Sequence, residues 1–262
     1  MDKNIYLSRG EQNIFNTLPH DRIGKTDDMA DQFPQMSKIR INKINASLSS
    51  KGYLKRLKKG VYLVQDRPSE APIISNPYLV ASSLYSGYIG FSSALGIYNL
   101  LDYEPFTIYV VTKHKSQEKT LVEYTFKSVA MGKRATGMTF HEGVYVSTMA
   151  KTFFDCFYKP YYGGGYSEIT KALSNANVDW DEFMKYLESG TASYCQRTGY
   201  VLDMMNKETN KIPADVIDYL KNRIKSNTKL IPTGQSRGKY DREWKVLDNL
   251  GKVKILSWWH YG

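Results

Sequence analysis

Between Met36 and Val64 the chain carries eight Lys/Arg residues and not one Asp or Glu: Lys38, Arg40, Lys43, Lys51, Lys55, Arg56, Lys58 and Lys59. This stretch constrains the fold because its hydrophobic pattern switches period halfway. Ile41, Ile44 and Leu48 recur at i, i+3 and i+7, one face of a helix that Ser37 is placed to cap and that Gly52 closes at C′. Lys38, Arg40, Asn42 and Asn45 are expected to point away from that apolar stripe. Two short apolar runs follow, 53–57 and 61–64, joined by Lys58-Lys59-Gly60, which predicts a hairpin with a basic tip. A helix showing cations and amides, followed by a basic hairpin, suits the DNA major groove and the backbone beside it.

The preceding residues complete a recognisable order. Ser8 and Glu11 have capping-box spacing, and Ile14, Phe15 and Leu18 supply the apolar face of a first helix over 8–18, ended by Pro19. Thr26 is read as the cap of a second helix to about Phe33, with Asp27 and Asp28 favourable in its first turn. Three helices, a tight turn before the third and a hairpin after it predict a winged helix-turn-helix over residues 1–66. The three prolines in 65–77 predict a linker, placed at 67–77, and 78–262 reads as a larger α+β domain.

In that larger part Thr107–Thr112 is the clearest strand. Leu121–Val129 is expected to be its partner across the KHKSQEK loop, with Thr139–His141 and Val144–Ser147 as further short strands of a small, largely antiparallel sheet. Helices are expected over 77–87, from Ser92, over 149–157, from Ser167, over 178–190, around 193–206 and over 213–226. The WWHY segment at the end is expected either to pack back or to form an interface.

Charge sharpens the functional reading. Of the formal net charge of +10, residues 1–66 hold 12 Lys/Arg against 7 Asp/Glu, and the other 196 residues hold 24 against 19. Cationic density is thus about threefold higher at the N-terminal end, which points to a polyanionic partner. Cys156 and Cys195, 39 positions apart, make neither a disulfide framework nor a zinc pattern and are expected to be buried free thiols. No apolar run reaches the length of a membrane span, and a cytoplasmic location is the expectation.

Catalytic constellations are absent from the sequence pattern. His20, His114, His141 and His260 are scattered, and Gly163-Gly164-Gly165 precedes a helix without a phosphate-loop signature. The rival reading is a metal-dependent nuclease delivered by the winged helix, for which Glu123 with Lys127 and Asp155 with Lys159 are the candidates. Neither pair has tight acid-x-Lys spacing, and Lys151 at i−4 offers Asp155 a structural use. No enzymatic activity, cofactor or metal is expected.

Several segments carry a family resemblance: LSSKGYLKRLKKGVYLV, YIGFSSALGIYNL, IYVVT, VYVSTMAKTFFDCF and QRTGYVLD, in this order along nearly the whole chain. Together they resemble the AbiEi antitoxins, regulatory partners in bicistronic type IV toxin–antitoxin loci used against phage. The resemblance implies a winged helix that represses its own promoter at inverted repeats. It also implies a C-terminal α+β domain that counters a nucleotidyltransferase-like toxin, generally without a stable complex.

The expected partner is therefore double-stranded operator DNA, with a second protomer on it. Ser37, Lys38, Arg40 and Asn42 are placed to approach base edges, Arg40 as a bidentate guanine contact and Asn42 or Asn45 for adenine. Lys43 and Lys51 are assigned to phosphates. Lys55, Arg56, Lys58 and Lys59 would set the wing on the backbone or in the adjacent minor groove.

Overall fold

The computed structural model describes residues 6–19, 22–68 and 71–261, without the side chains of 260 and 261. The chain is α+β, and its contacts divide it into two compact units. The first comprises 1–89, 106–130 and 141–145; the second comprises 90–105, 131–140 and 146–262. His20 lies outside the described residues, as does the side chain of His260.

The first unit begins with α1 (Arg9–Phe15), where Ser8 and Glu11 form the full capping box. β1 (Ile23–Lys25) leads directly into α2 (Thr26–Gln32). α3 (Lys38–Ser50) is capped by Ser37, whose hydroxyl accepts from the Arg40 N–H at 3.3 Å. Its C-terminus satisfies two orphan carbonyls in a Schellman pattern: Gly52 N–H donates to Ser49 and Tyr53 N–H to Leu48. Gly52 makes this turn at φ +86°, in the left-handed region that a side chain would strain. β2 (Leu54–Lys58) and β3 (Val61–Val64) form the expected hairpin, turning at Gly60 with φ +71°. Ile14, Phe15, Leu18, Met29, Ile41, Leu48, Leu54, Tyr62 and Val64 make one core beneath these elements.

Two details differ from the sequence reading. The hairpin is part of a three-stranded sheet, β1-β3-β2, because Ile23–Lys25 pairs antiparallel with Leu63–Val61. Three residues are too few to show a strand period. Thr26 is the first helical residue of α2 rather than its cap. Its N–H donates to Gly60 across the sheet, and its buried hydroxyl is used elsewhere.

The segment expected to be a linker is tied down. Gln65 is buried, and its side chain both donates to and accepts from the Ile73 backbone. α4 (Pro77–Leu84), capped by Asn76, belongs to the same compact unit as the winged helix. The Leu84 carbonyl accepts from Lys58, which helps to explain why the unit runs past residue 66. β4 (Tyr88–Ile89), β5 (Thr107–Thr112), β6 (Gln117–Leu121) and β7 (Tyr124–Ala130) lie in the order β6-β7-β5-β4.

β4/β5 and β6/β7 are antiparallel, but β5 and β7, the two strands expected to form a hairpin, are parallel, Thr107 opposite Thr125 through Thr112 opposite Ala130. The expected β5–β7 hairpin is therefore corrected. QEK reads as loop because it is polar, and Leu121 as the start of the next strand, yet Gln117–Leu121 forms the outer strand β6, and β7 returns between β6 and β5. β8 (Met138–His141) and β9 (Val144–Ser147) turn at Glu142-Gly143, both at positive φ as a two-residue hairpin of this hand requires.

The second unit is largely helical. α5 (Phe91–Ile97) starts one residue before the expected Ser92, and α6 (Met149–Tyr158), capped by Thr148, buries Phe153, Phe154 and Phe157. α7 (Tyr166–Asn175) has Gly165, not Ser167, at its N-cap; the Ser167 hydroxyl instead bonds Ser257 at 2.5 Å. α8 (Trp180–Leu187), α9 (Ala192–Thr209) and α10 (Ala214–Lys221) follow the predicted amphipathic pattern. β10 (Thr228–Lys229), β11 (Lys239–Asp241) and β12 (Val246–Asp248) form a small three-stranded sheet in the order β10-β12-β11. α11 (Lys252–Ile255) and α12 (Ser257–Tyr261) end the chain. Trp258 packs back, its indole N–H donating to Thr170 at 2.8 Å, while Trp259 is exposed.

Candidate nucleic-acid interface

A helix spaces side chains by about 100°, so α3 presents four distinct faces. Ile41, Asn45 and Leu48 are buried, with Ile44 at their edge. Lys38, Asn42 and Ser49 share the flank toward the hairpin. Arg40, Ser47 and Lys51 share the opposite flank, toward α1. Ile39, Lys43, Ala46 and Ser50 lie outermost.

The hairpin flank borders a groove of about 770 Å³. α3 contributes Lys38, Asn42, Ala46 and Ser49, the β1–α2 junction contributes Lys25 and Asp27, and the hairpin contributes Arg56 and Lys59. A register shift between Arg56 and Lys58 lets Leu57 turn inward while Lys55, Arg56, Lys58 and Lys59 all stay exposed. Among the described residues, Lys25, Arg56 and Lys59 have no acidic partner, and neither do Arg40, Lys43 and Lys55. The groove therefore offers cations to a polyanion without an ion pair having to break first.

Other predicted residues occupy different roles. Asn45 is fully buried, and its amide donates to Thr26 Oγ1 at 3.3 Å, tying α3 to the start of α2. It cannot reach a base edge, and the expectation of an adenine contact there is corrected. Its spacing gave the signal, since position 45 is i+4 from Ile41 and i−3 from Leu48, inside the apolar stripe. Its Oδ1 has no hydrogen-bond partner among the described residues.

Lys51 is likewise internal to the domain. It pairs with Glu11 at 2.7 Å and donates to the Tyr6 carbonyl, so the phosphate role assigned to it is corrected. Burial would raise the Glu11 carboxyl, but bonds from Lys51, Ser47 and Ser8 hold it down at about 2. Lys58 donates to the Leu84 carbonyl; burial, aided by the charge of Lys25, lowers its pKa. Arg40 is exposed but is not among the groove's lining, so the structure does not bring it together with Asn42 and Arg56. Lys25 is the groove cation that the sequence reading missed, because its strand went unrecognised.

One acid stands in the groove. Asp27, in the first turn of α2, holds Lys38 Nζ at 2.5 Å with both side chains exposed. This hydrogen bond lowers the Asp27 pKa and raises that of Lys38.

The residues named for a nuclease are dispersed. Asp155 is fully buried and paired with Lys151, which is equally buried. Glu123 lies in the β6–β7 turn, and Lys127 pairs with Glu118 at 2.8 Å instead. Among the described residues no group of three or more His, Cys, Asp or Glu is arranged to hold a metal ion. No helix among them is long and apolar enough to cross a membrane. Both cysteines are free and buried, as expected.

The fold has a solved counterpart. The chain is similar to the RV2827C protein of Mycobacterium tuberculosis, with 17% identity and a TM-score of 0.67 over 96% of this chain and 94% of that one. At that identity the likeness concerns the fold alone. No family model matches the sequence. No curated protein matches it either.

Proposed function

We propose that this chain is a sequence-specific DNA-binding repressor that acts as the antitoxin of a bicistronic locus. The observation that carries the DNA-binding reading is the groove beside α3, lined by Lys25, Arg56 and Lys59 without acidic partners and by the exposed amide of Asn42. α3 enters the major groove N-terminus first, with Lys38 and Asn42 toward base edges and Ser37 beside them. Arg56 and Lys59 in the wing, with Lys25, take phosphates, and Lys55, Arg40 and Lys43 extend the cationic contact on either side. Two protomers occupy an inverted repeat, as is usual for repressors of this architecture.

The antitoxin role rests on the AbiEi resemblance, and with it come autoregulation in the cytoplasm and opposition to a nucleotidyltransferase-like toxin. The test of DNA binding is anisotropy of duplex from the chain's own promoter, titrated at several salt concentrations. Log K is expected to fall linearly with log salt, and Arg56→Ala and Lys59→Ala are each expected to flatten the slope by roughly 0.9. Equal slopes for wild type and the double variant would remove the groove from the contact. Co-expression with the neighbouring gene tests the antitoxin role: growth inhibition by that gene's product, relieved by this chain, is the expected outcome.

A further inference from the structure

Asp27 is out of place on a surface built to meet phosphates. It is the acid among the described residues lining the groove, and its neighbours there include Lys25, Lys38, Arg56 and Lys59. Its side chain is 76% exposed and that of Lys38 63% exposed, so their ion pair adds little to folding. A carboxylate here repels any duplex backbone that approaches. The position is also specific: Lys38 is the first residue of α3, the part of a recognition helix that meets base edges, and Asp27 reaches across to it from α2.

Resting on the DNA-binding reading, we propose that Asp27 is a specificity-determining residue that, with Lys38, reads a single G·C pair. The paired side chains present an acceptor directly beside a donor. Across the major groove, G·C offers two neighbouring acceptors, guanine N7 and O6, then one donor, cytosine N4. Lys38 spans the acceptors and Asp27 takes the amino group, so the carboxylate finds a donor in place of the contact it shares with Lys38. An A·T pair sets its donor between two acceptors, so a lysine spanning neighbouring groups meets an amino group instead. On the wrong sequence Asp27 is left facing oxygen atoms, and the pair rejects as well as selects.

The test is selection from a randomised duplex pool by the full-length chain, by Asp27→Ala and by Lys38→Ala. Wild type is expected to enrich one G·C position per half-site. Both variants lose that preference at the same position by about tenfold, because they remove two halves of one reader. Asp27→Ala also binds random duplex more tightly than wild type, with a salt slope steeper by roughly 0.9 as Lys38 is freed for a phosphate.

Thermal unfolding of Asp27→Ala is expected to show only the small loss of a first-turn charge on α2, whereas a purely structural role would lower it further and leave base preference unchanged. Unchanged base preference in Asp27→Ala, or loss of preference at an A·T position, overturns the inference while leaving DNA binding intact. A wild-type chain that binds no duplex overturns both.

Discussion

The two ends of this chain carry the same net charge and use it differently. Residues 1–66 have an excess of five cations, as do the other 196. In the second compact unit five lysines are held by acids, Lys151 by Asp155, Lys171 by Asp102, Lys207 by Asp203, Lys221 by Glu243 and Lys252 by Glu208, while others such as Lys133, Lys185 and Lys245 have no acid partner among the described residues. Around α3 and its hairpin, Lys25, Arg40, Lys43, Lys55, Arg56 and Lys59 have no such partner among the described residues. The difference lies in placement: around α3 the cations without acids gather on one helix, its hairpin and the strand beside it, whereas in the second unit they are spread over many elements. Lys51, basic and inside the same stretch, is kept from that surface by Glu11 together with the Tyr6 carbonyl.

The comparison breaks most visibly at the buried pair. Asp155→Ala leaves Lys151 charged in a site where burial already lowers its pKa, and is expected to cost about 3–5 kcal/mol in urea unfolding. A Lys151→Met/Asp155→Leu double variant should recover most of that loss; equal damage from both would show that packing, not pairing, holds the site.

Gly199 sharpens the same contrast. A Cβ there would lie 2.1 Å from the Trp244 ring, which is buried and anchored through its indole N–H to Asp203. Gly199→Ala is expected to cost about 1–3 kcal/mol by overpacking, read from the unfolding midpoint. A shift indistinguishable from zero would mean that Trp244 can move.

At the reader, substitutions should act on binding and leave folding alone. Arg56→Ala and Lys59→Ala are expected to stay within about 0.5 kcal/mol of wild-type stability while weakening DNA binding at low salt. A large loss of stability would place these side chains in the domain's own framework.

Acid separates Lys51 from its neighbours. Glu11 titrates near 2 in the folded chain against an ordinary 4.5. A depressed folded pKa means that its contribution is present above pH 4.5 and is lost as pH falls toward 2. Glu11→Gln should flatten the acid limb of a stability curve in that window; an unchanged limb would place the acid sensitivity elsewhere. The smallest contrast concerns two amides on one helix. Asn42→Ala should alter base preference, whereas Asn45→Ala should leave the preference intact and perturb α3 only through its bond to Thr26.

Much of this was legible along the chain. The capping box at Ser8 and Glu11, the Ser37 cap, the Gly52 terminus and the Lys59-Gly60 turn are local devices, each written in a few adjacent residues. What escaped the sequence reading involves partners distant in the chain or segments too short to show a period. β1 has three residues and no recognisable alternation. β6 is polar because it lies outermost among β6-β7-β5-β4, so its composition resembles a loop.

The sequence by itself determined that residues 36–64 form a capped helix and a basic hairpin, since propensity, caps and hydrophobic period agree there. Only the tertiary structure decided which of those cations are available. Glu11, Asp27 and the Leu84 carbonyl come from elsewhere in the chain to meet Lys51, Lys38 and Lys58. Charge is a property of a residue, but its availability depends on what the fold brings within hydrogen-bonding distance.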